Sequence, residues 1–263
     1  MCLIICAFQY HRDFPLVIAA NRDEFFSRPT RDAGFWPVQD DSAAILAGKD
    51  LTQGGTWLGI SDTGRFAAVT NIRNPGQENL AAKSRGFLTS DFLNSDVPAR
   101  EYLESLQPDL NAFAGFNLLV GDHDELFYLN NQDREIRSLQ PGVYGLSNGT
   151  LDSPWPKIKR GKDQLKALLD EDNSIETDSL IELMIDTEIA PDHHLPDTGV
   201  SLELERMLSA SFISSPDRGY GTRCSTAIVV NESGAARFSE QNYNSNGTIA
   251  SRNFYDFPLQ KRA

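Results

Sequence analysis

No apolar run in this 263-residue chain approaches the roughly 20 residues needed to cross a bilayer, so no membrane-spanning helix is expected. Cys2 to Phe8 is apolar but short and has no basic region before it, so it is expected to be a buried strand and not a signal peptide. Cysteine is scarce. Cys2, Cys6 and Cys224 are an odd number in a chain large enough to need no staples, which argues against a disulfide scaffold and for a reducing compartment, the cytoplasm. Positive charge is also in deficit, with 24 Lys and Arg against 37 Asp and Glu, a net charge of −13 and a pI near 4.7. That balance repels phosphate backbones and anionic lipid, so nucleic acid is not an expected partner. There is no Cys-x-x-Cys, no His-Glu-x-x-His and no phosphate-cradling glycine loop, so no structural metal is inferred. The four histidines, His11, His123, His193 and His194, fall in predicted hairpin turns or in an acidic loop and are expected to be solvated.

What is present is enough apolar surface to fold, with 40% hydrophobic and 10% aromatic residues and no long polar tract. Cys2 to Phe8 and Leu16 to Ala20 flank a polar turn and predict an opening antiparallel pair. Three further hairpins follow from apolar runs around turn residues: Thr56 to Ile60 with Phe66 to Thr70, Phe116 to Val120 with Leu126 to Leu129, and Thr226 to Val230 with Ala235 to Phe238. Helical periodicity occupies Gly86 to Leu106, broken near Pro98, and Lys157 to Ile189, broken around Glu171 to Thr177. Strand groups separated by helix groups predict packed layers of sheet and helix, not a doubly wound parallel sheet. Pro191 to Thr198 is expected to be an exposed loop, not a linker, which leaves one domain over residues 1–263.

Chemistry is expected at the amino terminus. If Met1 is removed, which a small second residue permits, Cys2 carries a thiol and a free α-amine on one residue, and an amine titrating near 7.7 to 8.0 can take the thiol proton. The alternative is that Cys2 is simply a small buried hydrophobe on the first strand. Asn21-Arg22-Asp23-Glu24 follows an apolar strand, at the expected exit of the chain from the sheet, where sites form. Asp23 there is either an acceptor for the amine or thiol of Cys2, offset by Arg22, or a turn former with Arg22 as its surface ion pair. Asn71 and Asn148 stand in sequences that are also ordinary turn material.

Ala19-Ala20-Asn21-Arg22-Asp23-Glu24-Phe25-Phe26-Ser27-Arg28-Pro29 strongly resembles the signature of the NRDE family, also called the transport and Golgi organisation protein 2 family. Further matches follow in family order: Met1-Cys2, Gly54-Gly55-Thr56-Trp57-Leu58-Gly59, Thr70-Asn71, Gly115-Phe116-Asn117-Leu118, Tyr144-Gly145-Leu146-Ser147-Asn148, Thr150-Leu151-Asp152-Ser153-Pro154-Trp155 and Tyr220-Gly221-Thr222-Arg223. They span nearly the whole chain.

The resemblance implies a distant relationship to the N-terminal nucleophile hydrolases of the bile-salt hydrolase and penicillin V acylase group. The expected fold is therefore α+β, a four-layer αββα sandwich of antiparallel sheets flanked by helices. Carried over residue by residue, Cys2 attacks an acyl carbon, Asp23 holds its amine, Asn71 or Asn148 donates to the oxyanion, and Arg223 stabilises Asp23 or the thiolate. Asn21, Arg22 and Trp57 are weaker binding candidates. The group's arginine three residues before the aspartate is replaced here by Ala20, the nearest arginine being Arg22, and strand alternation is expected to put that guanidinium on a different face. The family is also associated with haem handling and, in eukaryotes, with secretory organisation. Three functions follow as expectations: a hydrolase of non-peptide amide or related acyl bonds that needs no cofactor, a carrier holding haem or another amphipathic ligand in the same pocket, or, more blandly, an interaction protein.

Overall fold

The computed structural model describes residues 2–37, 43–75, 82–171 and 174–260. Met1, on whose removal the mechanism expected for Cys2 depends, lies outside them. The strands are β1 (Cys2–Phe8), β2 (Leu16–Phe25), β3 (Thr30–Phe35), β4 (Ile45–Asp50), β5 (Leu58–Ser61), β6 (Phe66–Asn71), β7 (Phe116–Gly121), β8 (Leu126–Asn130), β9 (Arg137–Ser138), β10 (Gly142–Leu146), β11 (Ser214–Ser215), β12 (Tyr220–Val230), β13 (Ala235–Tyr243) and β14 (Ile249–Pro258). The helices are α1 (Gly86–Asn94), α2 (Ala99–Leu106), α3 (Pro156–Glu171), α4 (Thr177–Leu183) and α5 (Leu202–Met207).

Two antiparallel sheets result, one ordered β10-β1-β2-β12-β13-β14 with β11 added to β12, the other running β3 to β9 in sequence order. Alternation along β1 explains how they are covered. Ile4, Cys6 and Phe8 point into a core shared with Leu46, Ile60 and Phe66 of the second sheet, while Leu3, Ile5 and Ala7 point the other way onto Ile158 and Leu165 of α3 and Leu180 of α4. The second sheet repeats this pattern, packing Val69, Leu118 and Phe127 on its outer face against Leu88 and Phe92 of α1 and Leu103 of α2. The layers are therefore helix, sheet, sheet and helix. A strand buried on both faces must be apolar throughout, which is why β1 shows no polar alternation. Each large side chain fully buried there stabilises the fold by about 1.5–3 kcal/mol.

All four predicted hairpins are present, and the first helical region breaks with Pro98 as the N-cap of α2. The second helical region ends at Leu183, short of Ile189. Of the Pro191 to Thr198 segment, Asp192–His194 forms one 3₁₀ turn, and the rest has no regular structure. The pairs around β3 and β4, and the strands β10 and β14, carry no apolar alternation strong enough to be read from sequence. β14 is an edge strand, exposed on one face and half-buried on the other.

One difference matters for function. Asn21 to Glu24 do not mark an exit from the sheet, because β2 continues to Phe25 and pairs with β12 along that whole length. Polar side chains sit inside this strand because each finds its partner there.

Candidate active site

Cys2 opens β1, and its register partner on β2 is Arg22. Directly opposed residues of an antiparallel pair project to the same face, so thiol and guanidinium both enter the space between the sheets. There they line a cavity of about 860 Å³. This corrects the expectation that replacing an arginine at position 20 by one at 22 changes faces. Positions two apart share a face, and the change slides the guanidinium one rung outward, leaving Ala20 in the intersheet core. Arg22 is only 7% exposed, donates to Thr30 Oγ1 at 3.3 Å, and has no carboxylate oxygen of the described residues within 4.0 Å, so it forms no surface ion pair.

Asp23 is 1% exposed, which likewise excludes a surface turn. Its Oδ1 accepts from Thr222 Oγ1 at 2.8 Å, and the same hydroxyl accepts from the backbone N–H of Ile213 at 2.9 Å. Burial pushes the Cys2 thiol up, and the Asp23 carboxylate adds to this, while Arg22 and the Asp23 amide pull it back. Burial also raises the Asp23 carboxyl, against the pull of Lys157 and Arg22. The site is thus desolvated, with cations set against its acid.

The remaining candidates separate. Asn71, at the end of β6, and Trp57, before β5, line the cavity. Asn148 does not line it. It is buried, and its Nδ2 donates to the Asn71 carbonyl at 2.9 Å, so it holds the neighbouring asparagine's backbone. Asn21 faces the helices, where its amide donates to the carbonyls of Met184 and Ser211 at 2.8 Å each and its Oδ1 accepts from Ser225 at 2.6 Å. A fully used carboxamide on the far face cannot bind a ligand in the cavity. Arg223 is the extra residue of a bulge on β12, between the pairs Asp23 with Thr222 and Arg22 with Cys224. It reaches the cavity, but its Nη1 donates to the carbonyls of Phe25 and Arg28, both at 3.0 Å, and not to Asp23.

The motif asparagines and threonines form one network behind the site. Asn117 donates to Thr70 Oγ1 and the Gly149 carbonyl, Thr70 donates to the Ser147 carbonyl at 2.6 Å, and Ser147 donates to the Cys2 carbonyl at 2.9 Å. Three separate sequence motifs thereby tie the Cys2 carbonyl to the backbone beside Asn71.

Sequence reasoning missed Glu240 and Cys224 on the cavity wall and the buried Lys157, whose charge lowers the Asp23 carboxyl. Glu240 is 3% exposed, accepts from the Ala33 N–H at 2.6 Å, and its carboxyl is raised by burial. Glu240 stands between Ser239 and Gln241 on β13, so no apolar alternation around it marks the inward face. Arg22 pairs with both Cys2 and Cys224, so the two thiols stand two strands apart, too far for a disulfide. All three cysteines are free and buried. None of the four histidines lines the cavity. His123 lies with Asp122 and Asp124 in the β7–β8 turn, where Asp122 Oδ1 accepts from the N–H groups of Asp124 and Glu125. Among the described residues, no helix is long and apolar enough to cross a membrane.

A family model described as "Transport and Golgi organisation 2" matches residues 1–245. The human Transport and Golgi organization protein 2 homolog is 35% identical over 261 residues, covering 92% of each chain. Among solved structures, a variant of the conjugated bile acid hydrolase from Clostridium perfringens is similar with a TM-score of 0.53 at 9% identity, covering 100% of this chain and 99% of that one. The Caenorhabditis elegans N-acylethanolamine-hydrolyzing acid amidase ortholog aligns with a TM-score of 0.52 at 11% identity, covering 87% and 92%. At such identities the likeness is one of fold, that of the N-terminal nucleophile hydrolases.

Proposed function

The chain belongs to the Transport and Golgi organisation 2 family, and from that premise we propose that it hydrolyses a non-peptide amide or related acyl bond through Cys2. The observation that carries this reading is the position of Cys2: first residue of a central strand, in the wall of a cavity between two sheets, with Asp23 beside it. Structural neighbours whose names state hydrolysis of N-acylethanolamine or conjugated bile acid support the substrate class. In this mechanism the Cys2 sulfur attacks the acyl carbon. The α-amine of a chain beginning at Cys2 takes the thiol proton and passes it to the leaving nitrogen or sulfur. Asn71 donates to the oxyanion, Asn148 holds Asn71, and Asp23 holds the amine. Water then cleaves the thioester. Three free buried thiols support a reducing compartment, the cytoplasm, as its location.

The test is an acyl-amide and acyl-thioester panel with the wild type and Cys2→Ala, after the mass of the amino-terminal peptide has shown that residue 2 carries the free amine. No activity in the wild type, or equal activity in the variant, overturns the proposal.

A second reading, a carrier for haem or another amphipathic ligand, is favoured by a thiol that burial holds in its neutral form and by the buried Arg22 facing an 860 Å³ cavity. The cavity wall offers haem iron Cys2, Cys224 and Tyr243 but no histidine, and Arg22 suits an acidic substituent. Absorbance titration of the apo protein with haem tests it, and the absence of a saturable site rejects it.

A further inference from the structure

We infer that β14 is a self-association edge: its open side pairs antiparallel, about a two-fold axis at Phe254, with β14 of a second copy of this chain. The inference does not depend on what Cys2 does.

β14 ends its sheet, bonded to β13 on one side and to no strand of the described residues on the other. Its regular part is bounded at both ends. Ala250 is the extra residue of a bulge, since Asn242 faces Ser251 while Tyr243 faces Ile249, and Pro258 has no N–H to offer. Between them run residues 251–257, whose midpoint is Phe254. The Leu259 N–H donates to the Gly234 carbonyl at 2.7 Å, one rung beyond the pair of Ala235 with Pro258. Backbone groups alternate in direction along an antiparallel strand. The odd-numbered residues therefore bond to β13, and Arg252, Phe254 and Asp256 turn N–H and C=O outward. Pro258 falls in the outward set, where a missing N–H breaks no rung with β13.

The side chains are matched to the same axis. Arg252, Phe254 and Asp256 share the exposed face of the strand, and Phe254 is 58% exposed. Two antiparallel copies in register at Phe254 set ring against ring and put each Arg252 opposite Asp256 of the other copy, so every outward N–H of the three residues meets a carbonyl. A charge on an edge strand ordinarily blocks pairing. Here opposite charges stand equally far from Phe254, so they favour this register and penalise a parallel one, which sets Arg252 against Arg252. Arg252 also pairs with Asp178 of α4 at 3.0 Å, yet its side chain stays 43% exposed and keeps an N–H for a second carboxylate. The other edges are poorer. β9 and β11 are two residues each, β3 loses register between Arg31 and Gly34, and β10 carries Gly142 and Gly145. Pairing through β14 is isologous, each copy giving the same strand. Ala250 and Ser251 also line the Cys2 cavity, so the join borders the candidate site of both copies.

The experiment is sedimentation equilibrium of the full chain between about 1 µM and 1 mM, at about 150 mM salt to screen the net charge of −13 on each copy. The samples are wild type, Arg252→Asp, Asp256→Arg and the two variants mixed. Each variant alone sets like charges opposite one another at both pairs and is expected to dimerise about tenfold or more weakly than wild type. Their equimolar mixture restores opposite charges at both pairs and is expected to recover a species of twice the 29.2 kDa monomer. Misfolding of a variant cannot produce that recovery. A wild type that stays monomeric overturns the inference, including one whose edge takes up a strand of another protein. A dimer that neither variant weakens, or a mixture no tighter than its components, overturns it as well.

Discussion

Asn148 donates its side-chain amide to the backbone carbonyl of Asn71 at 2.9 Å, so two asparagines that look alike in sequence divide between them the roles of support and contact. Asn71 is half-buried on the cavity wall, whereas Asn148 is 1% exposed behind it. Asn148→Ala is expected to cost about 1–3 kcal/mol in stability by leaving buried partners unsatisfied, measured by urea denaturation. Asn71→Ala is expected to leave stability nearly unchanged and to lower turnover by on the order of a hundredfold or more, the usual effect of deleting an oxyanion donor.

Arg22 is a buried cation whose effect on Cys2 is to favour the thiolate. Arg22→Met is expected to push the Cys2 thiol further up and to slow its alkylation at neutral pH. Because no carboxylate of the described residues pairs with Arg22, removal of the charge is expected to leave stability within about 1 kcal/mol of wild type, or to increase it. Thermal denaturation and a thiol-reactivity profile check both halves.

Glu240 gives a pH dependence of stability with a definite sign. Burial holds its carboxyl above the ordinary 4.5, so the folded protein keeps a proton that the unfolded chain releases across the interval between the two values. Stability is therefore lost as pH rises from 4.5 through the folded value and is regained on acidification. Asp23, raised for the same cause, adds to the trend from 3.8 upward. Glu240→Gln is expected to flatten that part of the curve, and a wild-type curve that rises through the same interval with an unchanged Glu240→Gln curve contradicts this assignment.

Gly55 tests the packing of the Gly54 to Gly59 motif. A Cβ there lies 2.4 Å from the Gly86 carbonyl carbon and 2.6 Å from its oxygen, both backbone atoms that cannot rotate away. Gly55→Ala is expected to destabilise by about 1–3 kcal/mol or more. Gly86→Ala, whose nearest contact is 3.3 Å from Gly55 Cα, is expected to cost less. Chemical denaturation of the two variants ranks them, and Trp57, which follows this loop onto the cavity wall, is expected to report the shift by fluorescence.

The sequence by itself determined antiparallel hairpins layered with helices, because the turns around Gly64, Asp122 and Gly234 and the break at Pro98 are written in local residues whose preferences act within a few positions, while the four-layer sandwich was implied by the family resemblance. It also held the family motifs and brought Cys2 and Asp23 forward as a pair. Only the tertiary structure decided which polar residues face the cavity. Asn21 and Arg22 are adjacent, yet strand alternation sends Asn21 to the helices and Arg22 to the cavity. Lys157 and Glu240 were illegible for the same reason: each acts on groups more than a hundred residues away, through contacts that exist only once both sheets have packed.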